Sequence, residues 1–251
     1  MLFLPAGTTV NKKNIIELIA RKILEGKLKT NEVLPNEIDF SAQLGVSRTM
    51  IRDVLKSLEE KGLIERKTNV GTRVLSIHSW NLLDPEILQW SSGILTQSRF
   101  LLSLLELRLI VEPQAAALAA IRANDSDLMD IRGNFARMLD VETETGQITL
   151  NTEADIDFHR AIIKASGNLF LSQLGGAIQG ALHHTIYLSN KANIDHRASL
   201  ECHRRVLFAI ENRNSEDAYA GMCCVLRNTI NDLKLQVSGV ILSDFNGETK
   251  G

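Results

Sequence analysis

The stretch EADIDFHRAII places Asp155 and His159 four residues apart. On a helix that spacing puts the two side chains on one face, one turn above the other. Ile156, Ile162 and Ile163 give the same stretch an apolar side. A carboxylate and an imidazole paired beside an apolar interior admit three chemistries: an ion pair, half of a metal site, or catalytic partners. ECHRRVLFAI adds His203. His183 and His184 are adjacent, so they face different directions. Arg108 lies in FLLSLLELRLIVE, which is apolar almost all round. A guanidinium buried there needs an anion. That anion is either an internal carboxylate, with Glu106 and Glu112 in reach along the chain, or the carboxylate of a bound ligand. Near the other end, Arg48, Arg52 and Lys56 recur one turn apart on a single face.

The elements that must position these groups are mostly helical. The 251 residues are 44% hydrophobic but only 5% aromatic, with four prolines, which favours helices over a sandwich or barrel. Ile15, Leu18, Ile19 and Ile23 form a helical stripe that Gly26 closes. In LPNEIDFSAQLG, Asn36 is a good N-cap and Gly45 a left-handed stop. After the turn LGV, Ser47 caps SRTMIRDVLKSLEEKG, whose Ile51, Val54, Leu55 and Leu58 share one face. Helix, tight turn, helix is the helix-turn-helix arrangement. Its second helix offers base edges its N-terminal residues, Arg48 with Thr49 and Met50 beside it. Lys56 lies farther along, within reach of phosphate. LIERK and TRVL around TNVG predict a hairpin carrying Arg66, Lys67 and Arg73, a wing.

Residues 1–75 are therefore expected to form a winged helix-turn-helix domain, with 76–92 a connection containing both tryptophans. Residues 93–239 form an all-helical domain, and 240–251 a polar tail. In the helical part, Pro113 is expected to kink or break its helix. Asp125 or Ser126 caps a helix to about Thr145. Thr152 begins the helix of Asp155, and Gly167 ends it. Further helices span Leu169 to about Ser189 and Ala198 to Asn212, and Ser215 caps the last, through Gln236.

Charge divides along the same line. Residues 1–75 hold thirteen Lys and Arg against nine Asp and Glu, a balance of +4, and the remainder balances at −6. A basic front suits a polyanion. The three cysteines, Cys202, Cys223 and Cys224, are odd in number with two adjacent. That is a poor disulfide framework and suits a reducing cytoplasm. MLFLPAG has no basic leader, and no run approaches the ~20 apolar residues of a membrane span.

LPNEIDFSAQLGVSRTMIRDVLKSLEEKGLIERKTNVGTRV resembles the N-terminal winged helix of the GntR family of bacterial transcription regulators, continuously from about Ile15 to Val74. The resemblance implies that Arg48, Thr49 and Arg52 contact double-stranded operator DNA. Ile38 stands where the family often has Arg. The wing turn reads Asn69, Val70, Gly71 in place of a basic residue between glycines. Asn tolerates positive φ, so Asn69 keeps the turn and is the DNA-facing candidate at its tip.

ELRLIVEP, FHRAIIKASGN and ECHRRVLFAI resemble the FCD effector domain of the FadR subfamily. That resemblance implies a homodimer controlled by a small carboxylate effector, with Arg108 on that carboxylate. It also implies a divalent metal (Zn, Ni or Mn) held by Asp155, His159 and His203. The position of a fourth ligand holds Val225. Cys224 beside it points about 100° away on a helix and is not promoted to ligand. Three ligands still make an open site. LLDPEILQW and NTEADIDFH are similar to the galactonate-operon repressors of the family, which implies a sugar acid such as an aldonate or hexuronate. Other readings are a different small carboxylate such as lactate or pyruvate, a vestigial metal site, or a metalloenzyme fused to a DNA-binding head. Against the last, no further carboxylate or imidazole stands out as a general base.

Overall fold

The computed structural model describes residues 9–67, 70–91, 94, 98–142, 148–177, 185–186, 188–190 and 196–233. Asn69, His183, His184 and the polar tail lie outside them. The chain forms two compact units, Met1–Thr96 and Gln97–Gly251.

In the first unit, α1 (Lys12–Leu24), α2 (Glu37–Leu44) and α3 (Arg48–Glu60) are followed by β1 (Ile64–Lys67) and β2 (Gly71–Val74). Capping sets each helix start. The Asn36 side chain accepts from Ile38 and Asp39 N, and Ser47 accepts from Met50 N. Gly45 turns the chain between α2 and α3 at φ 66°. The strands pair antiparallel, Ile64 opposite Val74, and Val33 bridges to Arg73 on the outer side. Ile15, Ile19, Phe40, Val54, Leu58 and Val74 bury one common core.

The segment 76–92, expected as a connection with a short helical turn after Asp84, packs into this unit. It contains a 3-10 turn, Ile77–Ser79, and helix α4 (Pro85–Ser91). Ile87 and Trp90 of α4 complete the core. Lys61 holds Asp84 at 2.8 Å and Glu86 at 2.7 Å, with its ammonium over the Trp90 ring.

The second unit is built around α5 (Ser98–Arg122), followed by α6 (Asp125–Met138), strands β3 (Leu139–Glu142) and β4 (Ile148–Leu150), α7 (Thr152–Ala165) and α8 (Leu169–Ala177). Helices α9 (Arg197–Glu211) and α10 (Ser215–Asp232) close it. Helix α5 packs against α7, α9 and α10, and α6 packs against α7. Pro113 does not end α5; the helix is continuous through it. Proline removes one backbone donor, and burial of Leu105, Leu109, Ala116 and Ala120 on its neighbours compensates.

Three helix limits differ from expectation. α6 stops at Met138, and an antiparallel hairpin pairs Leu139 with Leu150 and Glu142 with Ile148. Val141, Ile148 and Thr149 are β-branched and suit strands better than a helix. Asn124, not Asp125 or Ser126, caps α6, accepting from Asp127 N while Asp127 accepts from Asn124 N. Thr152 begins α7 as expected, capped by Asn151, whereas Asn214 rather than Ser215 caps α10.

The cysteines depart most clearly from expectation. Cys202 and Cys224 form a disulfide, and Cys223 is free and buried. Helices α9 and α10 form a hairpin through Asn212–Asn214, so residues 22 apart in sequence come to a Cα separation of 5.7 Å. Gly221 permits the close approach: a Cβ there would stand 2.9 Å from Val206 Cγ2 and 3.1 Å from Val206 N. Counting cysteines could not see this proximity.

Candidate functional site

Helix α7 brings Asp155 and His159 inward as one turn of its buried face, which also carries Ile156, Ile162 and Ile163. His203 comes from the buried face of α9, between Cys202 and Val206. The three side chains are 1–5% exposed. Asp155 Oδ1 lies 3.3 Å from His159 Nε2 and 3.2 Å from His203 Nε2. One ligand atom from each residue falls within 4.8 Å of the others. The imidazoles stand nearly perpendicular, with centroids 5.5 Å apart, and the Phe158 ring borders both.

Each outer ring nitrogen faces an acceptor. His203 Nδ1 lies 2.7 Å from Ser199 O, a backbone acceptor one turn back. His159 Nδ1 lies 2.6 Å from Glu112 Oε2, an ion-pair contact in which both side chains are 1% exposed. Acceptors behind the outer nitrogens fix the imidazoles so that Nε2 faces inward, the arrangement that metal-ligating histidines require. Meanwhile Asp155 Oδ1 and His203 Nε2 are buried without an aligned hydrogen bond, as is His159 Nδ1, whose contact with Glu112 is an ion pair only. Buried polar atoms normally have partners, so the converging Asp155 and His203 atoms fit a cation. One oxygen and two imidazole nitrogens suit Zn, Ni or Mn. Val225 is 2% exposed in the core and offers no ligand atom.

Glu112 is the residue that sequence reading named only as one of several partners for Arg108. It is fully buried and joins two cations. Arg108 Nε reaches Glu112 Oε1 at 2.5 Å, and Nη2 reaches Oε2 at 3.4 Å. Arg108 Nη1 donates to Thr185 Oγ1 at 2.8 Å. Arg108 is 0% exposed, so the internal-carboxylate alternative is realised. Spacing held the signal: Arg108, Glu112 and Ala116 recur every fourth residue on α5.

Electrostatics follow from these contacts. Burial alone would raise the Glu112 carboxyl, but Arg108 and His159 outweigh it and hold it at about 2. Burial alone would lower His159, but Glu112 and Asp155 outweigh it and push the imidazolium up to about 9. Asp155 is opposed by burial yet held well below the usual carboxylate range by His203 and His159. Without a metal, His159 is therefore charged at neutral pH, and a metal must displace that proton.

On the first unit, Arg48, Thr49, Arg52 and Lys56 are exposed along α3, and Met50 is partly buried beside them. Arg52 forks onto Glu37 of α2, with Nε at 3.3 Å and Nη2 at 3.0 Å. That hydrogen bond lowers the Glu37 carboxyl and raises Arg52. Lys56 sits loosely by Glu60 at 3.9 Å. Arg66 of the wing is bound to Glu59 at 2.6 Å.

Comparison with known proteins agrees with this arrangement. Residues 11–74 match the gntR family of bacterial regulatory proteins, and residues 103–228 match the FCD domain. The chain is 31% identical over 230 residues to the galactonate operon transcriptional repressor of Escherichia coli (strain K12), covering 90% of this chain and 98% of the repressor. It is also 31% identical over 185 residues to the Glc operon transcriptional activator of the same strain, covering 73% of this chain and 71% of the activator. Among solved structures, Lar, which controls the expression of the Listeria monocytogenes agr system, aligns over 91% of this chain and 99% of its own. Its TM-score is 0.58 at 18% identity, a likeness of fold alone. These families are regulators, not enzymes. Among the described residues no helix is long and apolar enough to cross a membrane.

Proposed function

The chain belongs to the GntR family of bacterial regulatory proteins and carries an FCD domain, and from that premise we propose that it represses a carbohydrate-acid catabolic operon. Its operator affinity is controlled by a small sugar acid, an aldonate or hexuronate, bound in the second unit. The observation that carries the reading is the convergence of one ligand atom each from Asp155, His159 and His203 in a buried site. A divalent ion held there has open positions for the carboxylate and hydroxyl oxygens of such an acid. Arg108 is spent on Glu112 and Thr185, so it holds Glu112 against His159 and leaves the acid's charge to the metal.

Arg48, Thr49, Met50 and Arg52 meet base edges of duplex operator DNA, Lys56 meets phosphate, and Asn69 is the wing-tip contact. The protein acts as a cytoplasmic homodimer on a two-fold site. The acid favours one of two states of different operator affinity, by as much as its binding energy differs between them. Release by inducer follows the repressor named above; the activator relative marks the opposite sign as the competing outcome.

Calorimetric titration of the full chain with aldonates and hexuronates tests the binding half. Saturable heat is expected from the Zn- or Mn-loaded protein and not after chelation. Equal binding in both forms would remove the metal from the account, and no binding in either would remove the sugar acid.

A further inference from the structure

We infer that Cys202 and Cys224 are a reversible redox bridge that staples α9 to α10 beside the candidate metal site. The inference rests on that metal reading for its consequence but not for the bridge itself. Both ligand-bearing helices are known: α7 supplies Asp155 and His159, and α9 supplies His203. Helix α10 supplies no ligand, and Val225 is apolar there. Its covalent tie to the site is sulfur. Cys202 precedes His203, Cys224 precedes Val225, and their Cα atoms stand 5.7 Å apart, in the middle of the range that a disulfide spans.

The surroundings favour this pair over the alternatives. Cys202 is 7% exposed, and Asn228 Nδ2 approaches its sulfur at 3.4 Å. Cys224 is half-buried, so it is the sulfur a small oxidant or reductant reaches. Cys223 is buried, about 100° around α10 from Cys224, and burial pushes its thiol up to about 11. A thiol so rarely ionised is a poor competitor, because the thiolate is the nucleophile.

With a hydroperoxide as oxidant, the Cys224 sulfur takes one peroxide oxygen as a sulfenic acid, and the remainder leaves as water or alcohol. The Cys202 sulfur then attacks Cys224 Sγ, and that oxygen leaves as a second water. Two thiols are oxidised by two electrons, the peroxide is reduced by two, and a dithiol reverses the reaction. The bridge is not needed for the fold, because Val206, Ile210, Ala218 and Met222 already pack α9 on α10. Its effect is to limit how far α9 can shift and so to hold His203 opposite Asp155.

The test treats the full chain with hydrogen peroxide or with a dithiol, blocks free thiols after unfolding, and maps peptides. A Cys202–Cys224 cross-link with Cys223 blocked is expected from the oxidised protein only. No cross-link, or one through Cys223, overturns the inference. Affinity for Mn(II), an ion that thiolates bind poorly, should be about tenfold tighter in the oxidised form. Cys202→Ser and Cys224→Ser should show the weaker value under both treatments, while Cys223→Ser keeps the difference. Equal Mn(II) affinity in oxidised and reduced protein overturns the coupling to the site. Failure of both forms to bind Mn(II) counts against the metal reading and the coupling together, leaving the mapped bridge to stand or fall by its peptides.

Discussion

Glu112 Oε2 and His159 Nδ1 stand 2.6 Å apart in the interior of the second unit, and the other Glu112 oxygen takes Arg108. One carboxylate thus serves two cations, one from α5 and one from α7. Removing one partner of a buried pair leaves the other charge uncompensated. Glu112→Ala should therefore destabilise the protein by about 3–5 kcal/mol. Glu112→Gln should spare much of that packing, yet weaken metal binding roughly 10- to 100-fold through loss of the His159 support. Chemical denaturation and metal titration on the two variants separate the effects; unchanged metal affinity in Glu112→Gln would mean that Glu112 only holds Arg108.

Stability of the metal-free protein should depend on pH through the same pair. The folded His159 lies near 9, above an unfolded value of about 6.5. Its contribution is then fully present below pH ~6.5 and lost as pH rises through about 9. Glu112 has the opposite sign: its contribution is present above the ordinary carboxylate range and lost as pH falls through about 2. Thermal unfolding in chelator should decline from pH 6.5 to 9, and His159→Gln should flatten that limb. An unflattened limb would place the titration elsewhere.

On the first unit, Glu37 restrains Arg52 through two hydrogen bonds. Arg48→Ala should lower operator affinity by roughly 1–3 kcal/mol and relax preference at one base pair. Lys56→Ala should weaken all sequences alike and reduce the salt dependence by about one counterion. Glu37→Gln releases the Arg52 fork, so non-specific DNA binding should rise. Unaltered specificity in Arg48→Ala would move base reading off this helix.

Much of this was legible in the sequence because it is local. Asn36, Ser47 and Gly45 declare the ends of α2 and α3, and i to i+4 spacing declares Asp155 and His159. His203 was found through a resemblance, since nothing local says which distant helix faces α7. The relations missed are those that only tertiary packing decides. Glu112 became the joint between Arg108 and His159 because α5 lies against α7. Cys202 meets Cys224 because Gly221 lets α10 close on α9. The hairpin after Met138 was misread as helix because helix periodicity was extended past the point where β-branched residues take over.

Operator affinity of the full chain, measured with metal present while an aldonate or hexuronate is titrated, tests the central claim most directly. The account predicts that one such acid lowers affinity by at least about fivefold, the lower end of usual allosteric coupling, and that His203→Ala abolishes the response while retaining operator binding. A response to that acid undiminished in His203→Ala, or no response to any such acid in the metal-loaded protein, would contradict it.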